Sequence, residues 1–335
     1  MEKKQDKKFL KNSIFFIIII FLTYYFVLRK NNLSLIIENT KNANRAFVIL
    51  AIVSMFLFFI IQSINLKFLL KKLDEKISLF KGFRYTLLCF FFSGITPGAT
   101  GGQPVEVYYM GKDGINGSKA TLAVLVQLFS YKIACLSLAL LAFVINFNIL
   151  SNINRVFFCI GFIIYLVPLI LIVLCIFNPS FMIKITNGII NFLHRIGIKE
   201  PKEKQKLVDA EIDKYNQYAS FFKENKDIFI KSILIFLIGV ICCYFVSYFI
   251  YLSLGFNEFG FVSIILSQAL LYAMASWVPL PGAIGASEFA YLSIFGRFYS
   301  SEALVSAMLL SRGITFYLFI ILGFFAYLVS FLRRK

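Results

Sequence analysis

The sequence predicts an all-α polytopic membrane protein with six full spans and two Pro/Gly-broken re-entrant elements, arranged as an inverted repeat. Composition is the first reason: 59% of the residues are hydrophobic and only 15% are charged, whereas about 25% of an average soluble domain is charged. The second reason is that six apolar runs are long enough to cross a membrane, for which a helix needs roughly 20 residues. These runs are about 10–28, 47–66, 118–145, 155–177, 228–254 and 303–330. We therefore treat residues 1–335 as a single transmembrane domain.

The third reason is the distribution of positive charge, which sums to a net charge of +17. If the N-terminus is cytoplasmic and each broken element enters and leaves on one side, 26 of the 34 Lys and Arg residues lie in cytoplasmic segments and 6 lie outside. Such an asymmetry orients membrane proteins, and it predicts a multi-pass protein of the cell membrane with both termini in the cytoplasm. The basic loops are suited to anionic inner-leaflet lipids, so the charge does not indicate nucleic-acid binding.

The longest polar segment is a basic loop at 178–227. If both broken elements crossed the membrane fully, this loop would lie outside, which the charge asymmetry disfavours. Five of its residues share one helical stripe: Val208, Ile212, Tyr215, Ala219 and Phe222. Two interpretations stay open, a helix lying on the inner leaflet and a short helix packed on the protein's own loops.

The sequence offers no metal or cofactor site. The six cysteines lie within apolar runs and lack Cys-x-x-Cys spacing, and His194 is the single histidine. We expect reduced thiols, no metal and no cofactor. The lysines ahead of the run 14–28 resemble the start of a signal peptide, but no small-x-small cleavage site follows. We expect an uncleaved first span.

The two broken elements carry the same pattern. The first, TPGATGGQPVE, covers 96–106, and the second, LPGAIGASE, covers 280–288. Pro-Gly-Ala-x-Gly-small occurs in both, 184 residues apart, and each is followed by a glutamate, Glu106 or Glu288. The next span in each case holds one cation after a nearby Ser, Lys132 or Arg312. This is the pattern of an internal repeat.

The charge layout opens the first element to the cytoplasm and the second to the outside, which makes the repeat inverted. The half-repeats are about 47–145 and about 228–330, joined by the basic loop. Inverted repeats with broken hydrophobic segments are typical of transporters whose site lies at the repeat interface. We expect Gly98, Gly101, Gly102, Gly282 and Gly285 to supply positive φ angles and close approach. The alternative is a kinked helix pair that only packs closely.

Helices restarting at Pro104 and near Gly285 would point free N–H groups toward the membrane centre, which favours an anion. Each of the four charges costs about 2.5–3.5 kcal/mol at mid-bilayer, so they must pair or line a polar cavity. One alternative is two structural ion pairs, Glu106 with Lys132 and Glu288 with Arg312. The other is a phosphate held by the cations, with the glutamates holding those cations or contacting an amino headgroup. The candidate substrate-binding residues are Lys132, Arg312, Glu106, Glu288, Gly98, Gly101, Gly102, Gln103, Gly282, Gly285 and Ser287; we expect no catalytic residue.

At these residues the chain resembles the lysylphosphatidylglycerol synthase transmembrane-region family, the membrane half of the multiple peptide resistance factor. The resemblance rests on the segments 97–108 and 279–288, and on Arg312 with Gly323. It implies a flippase-like translocase that moves an anionic or aminoacylated phospholipid, or a related lipid carrier, between leaflets. In fused members a soluble domain transfers lysine to the lipid; we expect no such domain here, because 178–227 is too short to contain one.

Two other functions remain open. An intramembrane lipid-modifying transferase would use Lys132, Glu106 or Glu288 as acid or base, although no Ser-His-Asp set accompanies them. An ion-coupled small-solute transporter would share the broken helices and would have a narrow water-filled site instead of a lateral groove. The substrate is expected to be a membrane phospholipid, and homo-oligomer formation is left open.

Overall fold

The computed structural model describes residues 33–148, 150–178, 214–275 and 278–332, with single positions at 181, 184, 185 and 188. Within these residues the chain is all-helical. The helices are α1 (Leu33–Asn42), α2 (Arg45–Lys71), α3 (Leu79–Ile95), α4 (Gly102–Lys112), α5 (Gly117–Asn146), α6 (Asn152–Phe177), α7 (Lys226–Ser253), α8 (Phe261–Ala275), α9 (Ala286–Phe295), α10 (Ser301–Arg312) and α11 (Leu318–Leu332).

Five helical segments are long and apolar enough to cross a membrane. They are α2, α5, α6, α7 and the continuous segment Ser301–Leu332, which joins α10 to α11 through a π-helical stretch, Gly313–Tyr317. They agree with five of the six predicted runs and confirm a polytopic helical architecture. The predicted run 10–28 lies outside the described residues. The sixth span and the inverted repeat therefore stay predictions.

Side-chain caps fix where several of these helices begin. Asn44 accepts a hydrogen bond from the Ala46 amide, and Asn116 accepts from the amides of Ser118 and Lys119. Each cap satisfies backbone donors that have no partner in the first helical turn. The caps therefore place the starts of α2 and α5 at the ends of polar connections.

Small residues let helices of the two chain halves approach closely. At Gly323 in α11, an added Cβ would lie 2.8 Å from the Leu87 carbonyl oxygen of α3. At Gly239 in α7, an added Cβ would lie 3.0 Å from Ile61 of α2. Such contacts between small residues and a facing helix are a general way to pack membrane helices. Part of the core of the bundle thus forms between the halves.

The packing partners correspond between the two halves. In the first half α3 packs on α4 and on α11, and in the second half α8 packs on α9 and on α5. The first helices of the halves, α2 and α7, pack along each other. A buried hydrogen bond of 2.9 Å from Asn65 Nδ2 to Ser232 Oγ joins these two helices.

The described part of the basic loop contains a helix at 214–224. Tyr215, Ala219 and Phe222 of the predicted stripe are buried, and the Tyr215 hydroxyl donates to the Cys175 carbonyl oxygen at 3.0 Å. The burial of these three residues agrees with the second interpretation, in which the helix packs on the protein. Val208 and Ile212 lie outside the described residues.

Candidate functional site

Each broken element contains a single tight turn, and the two turns have the same backbone conformation. In Pro97–Ala99 and Pro281–Ala283, the central glycines have φ/ψ of 62/18° and 61/14°. The alanines that follow also have positive φ, 57° at Ala99 and 49° at Ala283. This conformation costs a residue with a Cβ about 1–2 kcal/mol. The surrounding packing must therefore hold both turns in place.

The two turns pack against each other. An apolar cluster surrounds them, formed by Phe91, Ile95, Ile284, Phe316 and Ile320. Phe316 leaves no room at the second turn, since a Cβ on Gly282 would lie 2.3 Å from its ring. The meeting point of the chain halves thus combines irregular backbone with aromatic and aliphatic side chains, while Pro97, Gly98 and Ala99 of the first turn are exposed.

In the second element a salt bridge holds the turn to the last span. Arg312 Nε donates to Glu288 Oε1 at 3.1 Å, and Arg312 Nη2 donates to the Gly282 carbonyl oxygen at 3.0 Å. Glu288 Oε2 accepts from the Gly285 amide at 2.6 Å and from Ser287 Oγ at 2.9 Å. One of the two predicted ion pairs is therefore confirmed; it engages Oε1, and the Gly285 amide and Ser287 hydroxyl satisfy Oε2.

The π-helical stretch begins directly after Arg312. A π-turn inserts an extra residue into a helix and often marks a functional position. It allows α10 to present Arg312 to the turn while Phe316, one turn further, packs on Gly282. The guanidinium also stacks on the Phe316 ring at 4.6 Å.

In the first element the carboxylate has no cationic partner among the residues that the structure describes. Glu106 is 1% exposed, and its Oε1 atom makes no hydrogen bond. The predicted ion pair with Lys132 does not form. The Lys132 ammonium instead lies over the Tyr165 ring, 4.1 Å from its centroid. A buried carboxylate without a counter-charge is costly, so this position is unusual for a purely structural residue.

Close packing, not special backbone angles, explains the glycines at the start of α4. Gly101 has a φ of −85°, and the positive-φ glycines of this element include only Gly98. A Cβ on Gly102 would lie 2.4 Å from the Cys89 carbonyl oxygen of α3. The prediction of positive φ was thus wrong for Gly101 and Gly102, whereas the predicted close approach is present.

Gly285 shows the opposite arrangement. Its φ is 88°, but nothing lies within 4 Å of an added Cβ.

Helix α4 begins at Gly102, two residues before the predicted start at Pro104. Pro is tolerated there because the first-turn amides have no helical acceptor. Gln103 is partly exposed beside this helix start.

The sequence did not reveal a cluster of tyrosines around Lys132. Tyr131, Tyr165, Tyr244 and Tyr272 come from α5, α6, α7 and α8. Tyr131 donates to the Tyr272 hydroxyl at 2.8 Å, while the buried hydroxyls of Tyr165 and Tyr244 have no hydrogen-bond partner among the described residues. A tyrosine inside an apolar run gives no indication of its neighbours on other helices, so only the fold shows this cluster.

The family model described as the lysylphosphatidylglycerol synthase TM region matches residues 13–323. A UPF0104 membrane protein of Archaeoglobus fulgidus is 22% identical over 299 residues, covering 88% of this chain and 90% of that protein. The match to the family model spans both broken elements and every candidate site residue. The chain belongs to the lysylphosphatidylglycerol synthase transmembrane-region family.

Proposed function

We propose that the protein is a flippase-like lipid translocase that moves an anionic or aminoacylated phospholipid, or a related lipid carrier, between leaflets. One observation carries this proposal: the two Pro-Gly-Ala turns meet, and of the two buried carboxylates that follow them, Glu106 makes no ion pair among the described residues. Irregular backbone within a membrane is tolerated only where it is buried in protein or lines a cavity. A site at the meeting point of two broken helices is typical of transporters.

The second element indicates what the first can bind. Glu288 holds the guanidinium of Arg312, whereas the corresponding Glu106 holds no cation. An ammonium group on a lipid headgroup would supply the missing charge. The lipid phosphate would be attracted to the free amides at the start of α4 and to Lys132, because a helix N-terminus carries partial positive charge.

The proposal includes the inverted repeat with six spans, which is the finer architecture that alternating access requires. The shared turn conformation and the corresponding packing partners support a repeat. We place both termini and the loop 178–227 in the cytoplasm of a cell-membrane protein, on the basis of the Lys and Arg distribution.

Purified protein in liposomes tests the activity. A labelled anionic or aminoacylated phospholipid is placed in one leaflet, and its appearance in the other leaflet is followed with an impermeant quencher. Wild-type protein should accelerate movement, and Glu106→Gln should reduce the rate for the amine-bearing lipid at least tenfold. Glu258→Gln, at an exposed carboxylate, should not.

Two outcomes would count against this function. Equal rates in Glu106→Gln and wild type would remove the role of Glu106. A chemically altered lipid recovered from the liposomes would favour the transferase alternative instead.

The topology can be measured independently. In a cysteine-free background, a cysteine at Lys214 should resist impermeant thiol reagents in intact cells, and one at Asn257 should react. The reason is that the charge asymmetry puts these two positions on opposite sides of the membrane. Labelling at Lys214 from outside would contradict the inverted repeat.

A further inference from the structure

Lys132 is a membrane-embedded cation without an anionic partner. Its ammonium lies 4.1 Å from the Tyr165 ring centroid, and none of the ion pairs among the described residues includes it. The charged form is thus supported only by a cation–π contact and by neutral dipoles. Because such a site stabilises an ammonium weakly, a lysine there can exist as a neutral amine or as a cation.

The groups around Lys132 can donate and accept protons. The Tyr131 and Tyr272 hydroxyls form a 2.8 Å hydrogen bond, and the rings of Tyr165 and Tyr272 are 6.4 Å apart. The hydroxyls of Tyr165 and Tyr244 are buried, with 6% and 3% of these residues exposed, and within the described part of the chain neither lies within normal hydrogen-bond distance of a partner. A hydroxyl that is both donor and acceptor can pass a proton along a chain.

Further polar groups extend from this cluster along the same helices. Ser247 on α7 donates to Gln268 on α8 at 2.8 Å. At the far end of α5, Arg297 donates to Asn146 at 3.0 Å and to Ser267 at 2.8 Å. Lys132 and Asn146 are 14 residues apart on α5, which is about 21 Å at 1.5 Å per residue. Polar side chains therefore follow one seam of the bundle from its middle to one end.

We propose that Lys132 is the proton carrier of the transport cycle and that this seam is its path to one side of the membrane. The neutral Nζ accepts one proton through the tyrosine hydroxyls, with water completing the gaps between the polar pairs. The same proton leaves Nζ toward the other side, so the amine is restored and no further reactant is consumed. This proposal rests on the proposed lipid movement, for which it names proton movement as the energy source.

The other ionisable groups near Lys132 are neutral when protonated, so Lys132 is the group that can carry the proton as a cation. Cys135 on α5 and Cys243 on α7 lie nearby and are thiols. The other facing groups are tyrosines from α5, α6, α7 and α8. Phe58 of α2 packs against Tyr131, and Glu106 of α4 makes no ion pair with Lys132. Lys132 is therefore the cationic member of this group.

The test separates proton movement from lipid movement. Liposomes containing the full chain hold a pH-sensitive dye, the membrane potential is clamped with potassium and valinomycin, and a pH difference is applied across the membrane. Wild-type protein should admit protons on lipid addition at least tenfold faster than Lys132→Gln. Tyr165→Phe, which keeps the ring under the ammonium and removes the hydroxyl, should also slow proton entry. Lys119→Gln is the matched control, because Lys119 lies on the same helix and pairs with Glu75.

Lipid movement is recorded in the same vesicles with and without the pH difference. Proton entry that is equal in wild type, Lys132→Gln and protein-free vesicles would overturn the proton path, whatever the lipid does. Lipid movement that does not respond to the pH difference would overturn the coupling. Absence of lipid movement together with Lys132-dependent proton entry would instead overturn the proposed function and support the path.

Discussion

The start of α4 allows a quantitative test of how the first broken element is packed. A Cβ at Gly102 would lie 2.0 Å from Ser93 Oγ and 2.4 Å from the Cys89 carbonyl oxygen. The Ser93 hydroxyl can rotate away, but the Cys89 carbonyl oxygen is part of the α3 backbone and cannot move unless the helix moves. An ordinary contact begins at 3.4 Å, so Gly102→Ala must separate α4 from α3 by about 1 Å. Overpacking of this kind costs about 1–3 kcal/mol.

Gly111 provides a control on the same helix. Nothing lies within 4 Å of a Cβ added there, so Gly111→Ala should stabilise the protein by about 0.5–1 kcal/mol through the lower backbone entropy of its unfolded chain. The free energy of unfolding of the two variants should thus differ by about 1.5–4 kcal/mol. Denaturant titration of the purified protein in detergent, followed by circular dichroism, measures the difference. Equal stabilities would refute the close approach of α4 to α3.

The remaining predictions concern the second element. Arg312→Leu strands the Glu288 carboxylate and should cost about 3–5 kcal/mol; adding Glu288→Gln, which can still accept from the Gly285 amide, should recover at least half of that loss in the same titration. Full additivity of the two changes would contradict the ion pair. Gly282→Ala should be more destabilising than Gly98→Ala, because both share a positive φ but only Gly282 faces Phe316. Equal melting temperatures of these two variants would contradict a role for Phe316.

The long helices were predictable because their signal is local. An apolar run of sufficient length by itself predicts a membrane-spanning helix. The predicted run 118–145 corresponds to Gly117–Asn146 for this reason. The turns were predictable as breaks, because Pro-Gly ends a helix wherever it occurs.

The glycines of the site were only partly predictable. The sequence shows that a residue is glycine, but it does not show whether the reason is a positive φ or the close approach of another group. At Gly285 the reason is φ, at Gly102 it is the neighbouring helix, and at Gly282 it is both φ and the Phe316 ring. The two helices that meet at Gly102 are separated by a turn whose path depends on tertiary packing, so no local pattern distinguishes these cases.

The charges show the same limit and also its consequence. The repeated pattern made Glu106–Lys132 the counterpart of Glu288–Arg312, yet only the second pair forms. The planar guanidinium of Arg312 donates to Glu288 and to the Gly282 carbonyl oxygen at the same time. The π-helical stretch that follows Arg312 lies where this side chain meets the turn. Lys132 has an aromatic neighbour within reach instead. The two turns therefore share the backbone conformation of their central glycines and differ in electrostatics. One turn is held by the Arg312 guanidinium, whereas Glu106 and Lys132 make no ion pair among the described residues. In the proposed translocase, the unpaired carboxylate and ammonium are the groups that remain available to bind a headgroup or a proton.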